Sequence, residues 1–282
     1  MNNNIILSYP NRATAATITG GSWSAALPAQ NVADKQMWKV ARSTDALLAS
    51  TKFTADFGAA KQVRCVSLAN HNLSAAATFR VTFGSTAGGS DVWDSGWKPA
   101  WRMAFDDLVE WESVTWWTGV AGDEYLRSPY AVMAVADDIY SARYVTVEIN
   151  DTANADGYVQ IGRLFVGGFL QPTYNPEYGL QDGLRDLSTT DAAESGAFWG
   201  NEKRRLRYTS FVLGWVTPTD AAYLHEMQRT LGTIGEVLYI PYPENPGESQ
   251  RWGYLGRLSE LSAIDYPYYR VRSLPLKLEE IA

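Results

Sequence analysis

Cysteine is almost absent: Cys65 stands alone in 282 residues. No internal disulfide can form, and thiolate metal sites are disfavoured. Cys65 sits in an alternating apolar run, the setting of a small buried hydrophobe rather than of a reactive thiol. Imidazole is nearly as scarce, with only His71 and His225. Neither stands at an interpretable spacing from a Ser or Cys, and no G-x-S-x-G, H-E-x-x-H or C-x-x-C occurs. The glycines of Thr86-Ala87-Gly88-Gly89-Ser90 lack the Lys-Ser/Thr that a phosphate-binding loop requires. These gaps predict a chain that is not an enzyme and takes no cofactor and no metal.

Positive charge is also short. Lys and Arg number 24 against 31 Asp and Glu, a net charge of −7, which argues against specific nucleic-acid binding because phosphate neutralisation needs a basic face. The one basic cluster, Lys203-Arg204-Arg205 with Arg207, is brief and reads as a subunit contact or a solvated face. No run approaches the roughly 20 apolar residues of a membrane helix. The start, MNNNIILSYPN, has neither the basic region nor the apolar core of a signal peptide. The expectation is a soluble protein, made in a cytoplasm, without membrane insertion.

Aromatic residues, by contrast, abound: 11 Trp and 16 Tyr. Between Val92 and Tyr140 stand Trp93, Trp97, Trp101, Trp111, Trp116 and Trp117, interleaved with Asp106, Asp107, Glu110, Glu112, Asp123 and Glu124. Indole faces stack on sugar rings and anchor interfaces, so this stretch reads either as a recognition surface or as a loop packed on its own domain. Paired carboxylates here could also serve a glycosidase, but they more often form a solvated rim.

Phe53 to Asn72, FTADFGAAKQVRCVSLANHN, alternates with period two on either side of a Gly58–Lys61 turn. It predicts two short strands of an antiparallel sheet, the second central because Val66 and Leu68 make both of its faces apolar. His71 and Asn72 follow at the strand end, where His71 could donate to a sugar hydroxyl or serve a local turn. Ile5–Tyr9 and Phe79–Phe83 read as further strands. Ala142–Ile149 and Tyr158–Gly167 read as a strand pair joined by a hairpin over 150–157, with Asp156-Gly157 as its turn signal. That oxygen-rich loop also invites a calcium reading, but Arg163 stands where the bidentate Glu should be.

The run from Asp56-Phe57-Gly58 to His71-Asn72 resembles the centre of discoidin-like (galactose-binding-like) jelly-roll domains. The loop of Leu27–Asp34 and Trp38–Ser43 resembles their opening, and the pair at 142–167 their closing strands. The resemblance covers about the first 170 residues.

Beyond Pro172 the pattern changes. Residues 172–200 read as a linker or crossing segment punctuated by Pro and Gly. Arg205–Leu213 alternates as a strand. Thr217-Pro218-Thr219-Asp220 is a helix start, with Thr217 as N-cap, Pro218 in the first turn and Asp220 as its acid. Ala221, Leu224, Met227 and Leu231 keep helical spacing, and Gly232 or Gly235 ends the helix. Strands are expected at 236–241, 250–261 and 268–280. This order of elements resembles the tail-tube-like fold of phage tail and baseplate proteins.

The expected fold is thus mainly β: a discoidin-like jelly-roll β-sandwich over 1–171, the linker over 172–200, and a tail-tube-like β-sandwich with one α-helix over 201–282. Together the two resemblances imply a distal or minor tail protein of a long-tailed phage, located in the virion at the tail tip or baseplate. Such a protein forms a homo-oligomeric ring, of six copies or of three, and holds the tail tube, the hub and other baseplate proteins. Its outward domain grips neighbours or host-surface carbohydrate. Leu224, Met227, Arg204 and Arg207 are then candidate ring contacts. Trp38, His71, Asn72, Trp93, Trp97 and Trp101 are candidates for glycan or partner binding. The alternative is a free, lectin-like carbohydrate-binding protein.

Overall fold

The computed structural model describes residues 3–101, 130–192 and 198–281. It is mainly β, as expected, and divides into two compact units: Met1–Gln171 with Leu238–Leu255, and Pro172–Val237 with Gly256–Ala282. The segment 238–255, expected in the C-terminal domain, therefore belongs with the first unit, and residues 172–200 are part of the second.

The first unit contains β1 (Ile6–Ser8), β2 (Thr17–Thr19), β3 (Ala41–Arg42), β4 (Phe53–His71), β5 (Thr78–Gly84), β6 (Trp93–Asp94), β7 (Lys98–Pro99), β8 (Val132–Asn150) and β9 (Gln160–Gly167). The two strands expected on either side of Gly58 are one. β4 runs unbroken for 19 residues and β8 matches it, pairing Asp56 with Tyr144 and Lys61 with Ala142 across a register shift. Gly58, at φ 74°, bends the strand instead of ending it, because a partner follows it round the corner.

These two long strands link the halves of a sandwich. In one half, residues 53–56 lie between β2 and the end of β8, which in turn pairs with β5. In the other, residues 65–68 lie between the start of β8 and β9, so the central placement inferred from Val66 and Leu68 is observed. Phe53, Ala55, Phe79, Val81, Phe83, Val145, Val147, Leu68, Leu164 and Val166 share the resulting core.

The expected 142–167 hairpin is absent. β9 pairs with β3 and β4, and the loop after β8 crosses between the halves. Gly157 does take positive φ, 72°, but inside a crossing loop. An Asp-Gly pair specifies a local turn and does not choose the partner strand. The outer face of the β4–β9 half is buried as well, at Cys65, Ser67 and Phe165. Ser8 of β1 lies against Gly167, and β1 itself pairs with Leu238–Ile240.

The second unit holds β10 (Gln181–Asp186), β11 (Thr189–Ala192), β12 (Phe198–Asn201), β13 (Arg205–Val216) and α1 (Pro218–Leu231). The chain passes between the units in β14 (Glu236–Ile240), α2 (Pro246–Trp252) and β15 (Tyr254–Leu258), then ends in β16 (Asp265–Tyr268) and β17 (Val271–Glu280). The expected linker thus contains three strands. α1 starts where its cap predicted, with Thr217 Oγ1 accepting from the Asp220 amide at 3.1 Å, and of the two glycines that could end it Gly232 does so, at φ 55°. Ala221, Leu224, Met227 and Leu231 form its buried face, and the helix packs on β17.

Helix α2 replaces the first part of the strand expected over 250–261. Asn245 Oδ1 accepts from the Gly247 and Glu248 amides, Pro246 fits the first turn and Gly253 follows the end. Those local caps favour a helix over the first residues of the expected strand.

Candidate binding site

β4 ends at a polar knuckle that fastens three loops. The His71 ring lies 2.8 Å from the Tyr130 carbonyl through Nε2, and its Nδ1 accepts from the Leu73 amide at 3.2 Å. Burial holds its pKa down to about 4, against the opposing effects of the Tyr130 carbonyl and Asp151. His71 is therefore neutral and enclosed, a turn residue rather than a donor to ligand. Trp101 packs edge-on against it at 5.8 Å, only 6% exposed, with its indole N–H toward the Leu73 carbonyl.

Asn72 is committed to the same junction. Its Nδ2 donates to Asp156 Oδ2 at 2.8 Å and to the Tyr158 carbonyl at 3.1 Å, while its Oδ1 accepts from the Gln160 amide at 2.7 Å. The 151–157 loop folds on its own oxygens. Asp151 accepts from Ser74 and from Asn154 Nδ2, and Asn154 Oδ1 accepts from the Asp156 amide. Among the described residues no group of three His, Cys, Asp or Glu is placed to hold a metal ion. Arg163 is wholly buried; its guanidinium donates to Thr14 Oγ1 at 2.6 Å and reaches the Val32 carbonyl at 3.5 Å.

Beside this knuckle the surface offers one group the sequence reading missed. Arg42, in β3, stacks its guanidinium over the Tyr158 ring at 4.2 Å and donates to Gln160 Oε1 at 3.0 Å. Its Nε is buried without a hydrogen-bond partner. A flat cation on an aromatic ring, next to a side-chain amide and the Asp156 carboxylate, can offer both donors and acceptors to a hydroxylated ligand. Residues 42 and 158 are far apart in sequence and no motif links them, so only the fold reveals the pair.

The remaining aromatic candidates divide. Trp38 is 74% exposed beside the Lys39 ammonium, and Trp97 is 45% exposed. Trp93 packs on Phe83 and Tyr140, with ring centroids 4.7 and 6.5 Å away. Trp111, Trp116 and Trp117, with Asp106, Asp107, Glu110, Glu112, Asp123 and Glu124, lie outside the described residues. His225 is exposed on α1. Cys65 is buried, and loss of hydration pushes its thiol up to about 12, which leaves it inert.

Of the candidate ring contacts, Leu224 and Met227 point into the second unit and are fully buried, because the apolar stripe of α1 faces its own sheet. Arg207 grips Glu280 with NH2–Oε1 at 2.7 Å and Nε–Oε2 at 3.0 Å, and Arg204 joins at 3.4 Å. Burial pushes the Glu280 carboxyl up, but Arg207 outweighs it and holds the group below its ordinary value. The neighbouring Glu279 receives Arg185 at 3.0 Å and Arg257 at 2.9 Å. Arg204 and Arg207 of the basic run are therefore tied into ion pairs with the last strand.

No family model and no curated protein matches the chain. Among solved structures, the lectin domain of lectinolysin complexed with Lewis b antigen is similar at 16% identity and a TM-score of 0.37, covering 57% of this chain and 98% of that one. The family 32 carbohydrate-binding module of Clostridium perfringens NanJ, in complex with galactose, is similar at 12% identity and a TM-score of 0.36, with the same coverage. A family 89 glycoside hydrolase from C. perfringens is similar at 13% identity and a TM-score of 0.38; the match spans 60% of this chain but only 16% of the hydrolase. Each is a resemblance in shape.

Proposed function

We propose that the protein works by binding rather than by catalysis, as a structural component of a phage tail tip whose second unit associates with copies of itself. The observation that carries the self-association is the edge of the second unit's sheet. β10 is its outer strand and is exposed along most of its length, with Leu184 uncovered. β11 and β12 pair antiparallel as a separate two-stranded sheet, whose Phe198 and Trp199 are 71% and 69% exposed. An open edge bearing large apolar side chains is a template for strand or hairpin docking between chains. A two-stranded hairpin is also marginal until something covers it.

Light scattering coupled to gel filtration tests this. The full chain is expected to run as a closed oligomer of six or three copies, and Phe198→Asp with Trp199→Asp as a monomer with unchanged circular dichroism. A wild-type chain that stays monomeric at about 50 µM, well above the usual range of stable interfaces, would remove the ring reading.

A second reading, a free carbohydrate-binding protein, draws on the Arg42–Tyr158 stack and on the exposed indoles of Trp38 and Trp97. Glycan-array binding by the monomeric variant, lost in Arg42→Ala, would favour it. On the first reading the first unit holds neighbouring baseplate proteins or host-surface carbohydrate; on the second it is the carbohydrate-binding part.

A further inference from the structure

The second unit has a cleft of about 570 Å³ lined by Trp215, Tyr266, Pro267, Tyr268, Glu177 and Asp265, among others. Its origin is local. The β13–β17 register shifts between Leu213 and Val216, and Trp215 is left exposed there. The preceding Gly214 has no side chain, which leaves room for the Glu177 carboxylate; a Cβ there would collide with it. The Glu177 amide is anchored on the Val212 carbonyl at 2.9 Å. On the other side β16 and β17 form a hairpin closed at Tyr268–Val271, with Arg270 at φ 71° in its two-residue loop. The hairpin presents Tyr266 and Tyr268, both exposed.

The chemistry of this lining is one-sided. It offers three aromatic rings and two carboxylates, and no Lys or Arg is among the lining residues. Ring faces carry negative potential and attract a flat or compact cation, and carboxylates complete its charge pairing. The protein already makes such a contact beside the cleft, where the Arg272 guanidinium lies 4.0 Å from the Tyr266 ring centroid.

We infer that this cleft receives an arginine side chain from a basic segment of a partner polypeptide, stacked on Trp215 and Tyr268 and paired with Glu177 and Asp265. Charge complementarity selects the occupant. Even counting Arg272 beside the cleft, the two carboxylates outnumber the cation, so a neutral saccharide would leave negative charge uncompensated and an acidic ligand would be repelled.

Calorimetric titration of the full chain with a blocked Gly-Arg-Gly-Arg-Gly peptide, at low salt, tests the inference. The expected result is saturable binding that weakens at least tenfold when citrulline replaces arginine, which keeps shape and removes charge. The near-isosteric pair Glu177→Gln with Asp265→Asn should weaken it by a similar factor, as should Trp215→Ala. The carboxamide pair decides the matter if Trp215→Ala fails to fold. Absence of saturable heat, equal binding of the citrulline peptide, or indifference to the carboxamide pair would each overturn the inference. So would saturation by chitotriose or lactose, lost in Trp215→Ala, with no response to the peptide.

Discussion

Protonating His71 should loosen the first unit by a definite amount. The Tyr130 carbonyl can only accept, so the imidazole proton resides on Nε2, 2.8 Å away, and Nδ1 is left to accept from the Leu73 amide. A second proton, on Nδ1, would face that N–H and break the bond inside a dry site. Burial accordingly lowers the pKa from 6.5 to about 4. With the folded value below the unfolded one, the unfolded chain takes up the proton first as pH falls. Stability is therefore flat above about pH 6.5, declines from there to about pH 4, and has lost the whole contribution below the folded value. A depression of that size is worth ~3 kcal/mol, a large share of a domain's net stability.

Two measurements check it. The chain has only two histidines, so in His225→Gln the remaining imidazole resonance is His71. Its chemical shift should stay constant through neutral pH and move only near pH 4. Amide exchange in β4 and β9 reports the first unit without assuming that both units unfold together. Protection there should fall over the same interval, and His71→Gln should flatten that part of the profile. Titration of His71 at its ordinary value, or an unchanged acid loss in His71→Gln, would refute the reasoning.

Glu280→Ala should destabilise the second unit by about 3–5 kcal/mol, measured by denaturant unfolding, because it removes the largely buried carboxylate that pairs with Arg207 and Arg204. Trp101→Ala should cost about 3–5 kcal/mol of first-unit stability, while the exposed Trp97→Ala should stay within about 0.5 kcal/mol. That contrast in thermal midpoints separates core from surface tryptophans without any ligand. Thr217→Ala removes the α1 cap and should lower stability by about 1 kcal/mol, with amide protection lost first at the start of the helix.

The chain's local grammar determined its local structure. Thr217 and Pro218 fixed the start of α1 because capping needs only neighbours within one turn. Alternation around Phe53–Ala69 and Phe79–Phe83 fixed strand character, and two apolar faces placed the second half of β4 inside the sheet. A mainly β chain was legible from that alone. Partner choice was not, since hydrogen bonds between strands join residues far apart in sequence. The tertiary structure alone put β4 between β8 and β9, drew 238–255 into the first unit, and turned an expected linker into strands. The same holds for the site. Sequence could name His71, Trp101, Leu224 and Met227 as chemically able, but only packing could bury them, and only packing could bring Arg42 onto Tyr158.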